Sequence, residues 1–414
     1  MTKIDLARAL QWIGPPHWEL QEEAAATLES EGPSADLVHA LGMMAFVHLV
    51  SDRPAESIAT ADRAIELAAS LGLPAPASAY AWRGSTRCLL GDPAGLDDGR
   101  TAIELATRAG LTRDAAMFRN EYTANVAVFL GGREAETAGN DLLAFAASRG
   151  LSGIERLARA SLAEVMLDQG RLDEAEPVIR VSLEEFAAAG DVTMVTAVHA
   201  SLARIASLRG DPATALAQAD LIEADPHLRD NASWPLFVAM AARVRAEASD
   251  RDGAARLLVA LQQADGGSVY RGFEIRDAVV AALAIGDLDL ARRIVEGSAD
   301  PRPLAAENRR LARALVAEAE ENLESAAEGF KAAAGPLEAL SLPEHTQALL
   351  GYGRVLMKLG RPAQAEATLR QARDLAQRMG AAPWLAEADG LLAAIAGQTS
   401  KTEAPAGSES ARMP

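Results

Sequence analysis

Apolar side chains return every third or fourth residue along most of the chain, and short polar turns interrupt them at a steady beat. In residues 171–190 the set Leu172, Ala175, Ile179, Leu183 and Phe186 falls on one helical stripe, and Leu157, Ser161, Leu162, Val165 and Met166 do the same in residues 151–170. The turns, usually Gly or Asp followed by Asp or Arg, are anchored at Asp52, Gly91, Gly131, Gly170, Gly210, Asp250, Gly286, Glu321 and Gly360. Successive anchors lie 39, 40, 39, 40, 40, 36, 35 and 39 residues apart, a spacing that marks an internal repeat. Five places beyond the anchor stands a small residue at most turns: Ser57, Ala175, Ala215, Ala255, Ala291, Ala326 and Ala365, with Leu96 and Glu136 departing. A second glycine follows at Gly72, Gly110, Gly150, Gly190 and Gly380, where a left-handed residue would close a helix.

Each period thus predicts two antiparallel helices and a tight turn. A lone pair cannot cover its own apolar face, but stacking on the next pair does. The expected fold is all-α: an α-solenoid of about nine antiparallel helix pairs with a C-terminal capping helix near residues 382–396. The repeat array spans 35–397. Residues 1–34, broken at Gly14-Pro15-Pro16, predict an irregular helical N-terminal cap, and the polar segment 398–414 predicts a disordered tail. The pattern is least regular across 225–303, where a bend or seam between sub-arrays is expected.

Composition sharpens this picture chiefly by exclusion. The 414 residues are 49% hydrophobic and 4% aromatic, and alanine dominates, which disfavours β structure. Asp and Glu number 58 against 40 Lys and Arg, a net charge of −18 that repels phosphate backbones, so direct nucleic-acid binding is not expected. No run approaches 18 apolar residues and the first residues lack a signal-peptide core, so a cytoplasmic protein without membrane association is expected. The one cysteine, Cys88, forms no internal disulfide and reads as a small buried hydrophobe, although Arg87 beside it would favour a thiolate. Six scattered histidines show no metal-ligand spacing, and adjacent carboxylates such as Glu184 and Glu185 point apart on a helix. No catalytic residue, metal site or cofactor is predicted, and the chain is read as a non-enzyme.

Local motifs add a family resemblance. Ala326, Phe330 and Ala333, with the variant Ala365, Leu369 and Ala372, resemble the second helix of a tetratricopeptide repeat, and Leu350-Gly351 echoes the Leu-Gly pair of its first helix. Long helices, and glycine where such repeats close on proline, look more like the superhelix of MalT-like regulators. Residues 349–397 are similar to the last repeat of large bacterial LuxR-type regulators and of multidomain class III adenylate cyclases. The resemblance implies a module that senses or relays a signal. The sequence holds no Gly-x4-Gly-Lys-Ser/Thr, and the polar tail stands where such a regulator carries its helix-turn-helix. The expectation is therefore a repeat region alone.

In such solenoids the first helix of each pair lines the concave groove. Counting back from each turn, the polar stripe carries Tyr80, Asn120, Asn125, Arg156, Arg159, His199, Arg204, Arg243, Arg276, Arg310 and Arg354. Guanidinium groups bind carboxylates through paired donors, so these residues predict a groove for a protein or peptide partner, an acidic one included. Glu121, Glu164, Glu247, Glu307 and Glu318 share the stripe, which predicts intramolecular pairing as the competing use of the arginines. The function read from the sequence is a non-catalytic protein–protein interaction scaffold with a regulatory or sensory role. The alternatives are a small-effector-sensing module, or the separated repeat region of a transcriptional regulator or adenylate cyclase.

Overall fold

The computed structural model describes residues 18–51, 53–230, 233–263, 272–297 and 300–403. The turn anchor Asp52, the residues before Trp18 and the tail beyond Glu403 lie outside them, as do parts of the irregular 225–303 stretch. Among the described residues the regular structure is entirely helical. Helix α1 (Trp18–Glu31) precedes nine hairpins. They are α2 (Ala35–Val50) with α3 (Pro54–Ser70), α4 (Ala77–Leu89) with α5 (Ala94–Arg108), and α6 (Thr112–Phe129) with α7 (Gly132–Ala147). Next come α8 (Ser152–Asp168) with α9 (Leu172–Ala189), α10 (Val192–Arg209) with α11 (Pro212–Glu223), and α12 (Trp234–Glu247) with α13 (Arg251–Gln262). The last three are α14 (Ile275–Ala284) with α15 (Leu288–Glu296), α16 (Pro303–Ala319) with α17 (Leu323–Leu340), and α18 (Leu342–Lys358) with α19 (Pro362–Met379). Helix α20 (Ala382–Glu403) caps the array.

The repeating turn works because one helix ends and the next begins within two residues. Gly210 takes φ 75° to close α10, and the next residue, Asp211, accepts the Thr214 amide at 3.0 Å to open α11. Asp250 and Asp287 cap α13 and α15 in the same way. At the sixth turn the left-handed residue is Ser249, φ 65°, one place before the anchor read from sequence. The buried alanine shifts with it, to Ala254 rather than Ala255. The Glu136 exception has a similar cause: Gly131 is itself the residue preceding α7, the turn is one residue shorter, and Ala135 takes the buried position.

Hairpins pack mainly on their neighbours. The small residues five places past the turns are fully buried where helices cross: Ser57, Ala175, Ala291, Ala326 and Ala365 are all at 0% exposure. Gly351 serves the same packing, since a Cβ there would overlap the ring of Phe330, itself wholly buried. Between residues 212 and 296 the helices shorten, with α11 and α13 at 12 residues, α14 at 10 and α15 at 9. Around this stretch the first helices α10, α12, α14 and α16 also touch one another directly.

The superhelix then closes on itself. Helix α6 meets α16 and α17, α7 meets α17, and α10 meets α20. The hairpin tips dock on later helices: a side chain at Gly131, φ 94°, would run into the carbonyl of Ala339, and one at Gly170 would meet Met379. The tips at Gly91 and Gly210 face Pro301 and Pro383. Trp384 of the capping helix completes the cluster formed by α8, α9 and α10.

Candidate functional site

Closure turns the inner faces of α8, α10, α12, α14, α16 and α18 toward a shared interior. Three arginines of the predicted stripe meet there, and their carboxylate partners come largely from other hairpins. Arg204 donates to Asp168 at 2.9 Å and to Glu344, 140 residues away, at 3.2 Å. Arg276 pairs with Glu344 and with Asp277, each at 2.7 Å. Arg243 bridges Asp277 at 2.9 Å and Glu247 at 2.8 Å. Two arginines and the Ser341 hydroxyl hold the Glu344 carboxyl down at about 2 against the cost of its burial. Asp277 is likewise held low, chiefly by Arg276 and Arg243 once burial is overcome. Burial pushes Asp168 the other way, above the usual carboxylate range.

These groups line a cavity of about 390 Å³, whose opposite wall is apolar and includes Met194, Leu236, Phe237, Met240, Phe273 and Leu304. Asn308, only 7% exposed, also lines it, and its side-chain oxygen has no hydrogen-bond partner.

The remaining stripe residues do not converge. Arg159 pairs with Glu155 and Glu185, Arg310 with Glu307, and Arg354 with Glu318 and Glu387. Arg156 lies over the Phe186 ring, 5.4 Å from its centre, and Tyr80 lies under Arg83. His199 bonds Gln218 at 2.8 Å and Asn125 reaches Ser85 at 3.4 Å, whereas the Asn120 side-chain oxygen has no partner. The arginine forks thus mostly grip carboxylates of the chain itself.

A second hollow, of about 550 Å³, opens among the first three hairpins. Val38, Met43, Leu73, Pro74, Trp82, Leu111, Met117 and Phe118 line it, with His39, Ser78, Arg113 and Asp114 as its polar members. The Trp82 ring anchors this region: it sits 4.6 Å from Phe46 and 5.9 Å, edge-on, from Phe118. The polar-stripe count passes over these residues. The signal that finds them is spacing, for Phe46, Trp82 and Phe118 recur every 36 residues in a chain with few aromatics.

Neither hollow assembles catalytic groups. Cys88 is fully buried on α4, and burial beside Asp92 and Asp98 pushes its thiol up to about 12. Arg87 pairs with Asp98, so the activating cation read from sequence is spent on a carboxylate. Among the described residues no His, Cys, Asp and Glu group could hold a metal ion. No described helix is long and apolar enough to cross a membrane.

The tetratricopeptide-repeat family profile matches residues 156–180, 196–220 and 346–371. Each match runs from within a first helix, through the turn, into the second helix: α8 to α9, α10 to α11 and α18 to α19. Three of the nine hairpins therefore match the tetratricopeptide repeat, within an all-helical repeat fold. Among solved structures, the "Crystal Structure of the Yeast Tom70" aligns over 98% of this chain and 98% of that chain, at 13% identity and a TM-score of 0.37. No curated protein matches the sequence.

Proposed function

We propose that this chain is a non-catalytic interaction scaffold with a regulatory role, and that it takes an apolar segment of a partner protein in the hollow of its first three hairpins. One observation carries the proposal. The hollow is floored by the buried Trp82, Phe118 and Met43 and rimmed by the exposed or partly exposed Leu73, Pro74, Leu111 and Met117, whereas most arginines farther along the stripe are already engaged by the chain's own carboxylates. Apolar anchors in such a hollow dominate binding energy, and flexible methionines adapt to their shape. An acidic segment gripped by the arginine stripe is thereby less favoured than one anchored by an aromatic or aliphatic side chain. The relay of a signal, as in the MalT-like superhelices the sequence resembles, follows from nearest-neighbour packing between hairpins.

The test is selection of peptides from a random library against the whole chain, followed by titration on the Met117→Asp variant. Met117 lines the hollow while remaining half-exposed, so the change leaves the core intact. The expected result is peptides enriched in aromatic or aliphatic anchors whose affinity drops at least about tenfold on the variant, with an unchanged circular dichroism spectrum. Peptides that bind both proteins equally, or only through acidic residues, would overturn the proposal.

A further inference from the structure

The open cavity formed at the closure is lined by more negative than positive groups. Its lining carries two cations, Arg204 and Arg276, against four carboxylates, Glu164, Asp168, Asp277 and Glu344. Arg243 reaches Asp277 from outside the lining and still leaves the balance negative. Glu164 is the carboxylate without a salt bridge; its bonded neighbour is the Ser201 hydroxyl. Asp168, one helical turn away on α8, offers Arg204 one of its two oxygens. Asn308 adds a third acceptor, a buried amide oxygen with nothing to accept from. Glu164 is exposed to solvent and keeps its charge at the edge of the cavity, while Asn308, 7% exposed, leaves a buried acceptor unpaired inside it.

We propose that this cavity is a binding site for a small primary ammonium compound bearing an aromatic or branched aliphatic group. An ammonium supplies three N–H donors and one positive charge, which matches Glu164, Asp168 and Asn308. Phe237, Met240 and Phe273 form the wall for the hydrocarbon portion, and about 390 Å³ lies at the small end of the range of small-molecule sites. An anion is disfavoured because both lining arginines are occupied. The occupant would bridge α8 and α16, elements from the two sides of the closed superhelix, so occupancy would couple to closure.

The test is calorimetric titration of the full chain with 2-phenylethylammonium, with 3-phenylpropionate as the matched anion. Saturable binding of the amine alone is expected, weakened at least about tenfold in Glu164→Gln and in Asn308→Leu. Glu164 is exposed and makes no salt bridge, so Glu164→Gln should melt with the parent and remain a valid probe. Three results would each overturn the proposal: no amine binding up to about 10 mM, equal binding of the carboxylate, or undiminished affinity in both variants. Tighter binding of a lysine-containing peptide than of the free amine would also overturn it, by making the occupant a protein segment.

Discussion

Glu344→Gln is the sharpest probe of the closed superhelix. The substitution keeps the side chain's shape and removes the charge on which Arg204 and Arg276 converge from hairpins far apart in sequence. Glu344 is 4% exposed, so its carboxylate draws its stabilisation from these partners rather than from water. A carboxyl held at about 2 in the folded chain, against 4.5 ordinarily, contributes about 3 kcal/mol to stability at neutral pH. Breaking a buried ion pair from one side costs about 3–5 kcal/mol by a separate route, and the two magnitudes agree. The pH dependence fixes the sign. A depressed carboxyl stabilises fully above its unfolded value and loses that contribution as pH falls toward its folded value. The variant's deficit should therefore be constant above about pH 5 and shrink to about 1 kcal/mol near pH 3. Asp168 titrates the other way, but it is present in both proteins and largely cancels in the difference. Urea unfolding followed by circular dichroism at pH 7.5 and pH 3 reads both numbers. Coincident curves at pH 7.5, or a deficit undiminished at pH 3, would refute the reasoning.

Other outcomes follow from the same contacts. Gly131→Ala should cost several times the roughly 1 kcal/mol expected of Gly150→Ala: both sites are left-handed, but only Gly131 is pressed against a distant helix, and thermal melts of the two variants make the comparison. Burial raises the Glu121 carboxyl to about 7, so its ionisation destabilises the fold as pH climbs past 4.5; Glu121→Gln should gain up to about 2 kcal/mol at pH 8, discounted for the side chain's partial exposure, and nothing at pH 4. Cys88 should resist a disulfide reagent in the native protein and react with one equivalent only after unfolding.

The architecture was legible because its cause is local. A turn that ends one helix on a left-handed glycine and opens the next on an aspartate leaves a mark in every period, and so does the small residue that lets two helices cross. Ser249 and Glu321 show the limit, for both adopt left-handed backbone without being glycine, and a register read from letters slipped by one residue at the first of them. Closure left no comparable mark. The partner of Arg204 stands 140 residues away, and no periodicity relates Asp168 to Glu344. The polar stripe carried acidic residues beside the arginines, and whether those arginines face a partner or the chain itself depends on curvature. Curvature is set by small differences in helix length and packing, such as the shortened helices between residues 212 and 296.

An open helical array can gain or lose a unit in evolution with little penalty, because each unit meets only its neighbours. This one has forfeited that freedom. The tips at Gly91, Gly131, Gly170 and Gly210 each fit a particular seat on a later stretch of chain. Excising or duplicating one hairpin between tip and seat would throw every tip whose span includes it off its seat at once. Changing the repeat number should therefore cost this chain far more than it costs an open array, whereas changes on the outer helices and at the ends should cost little.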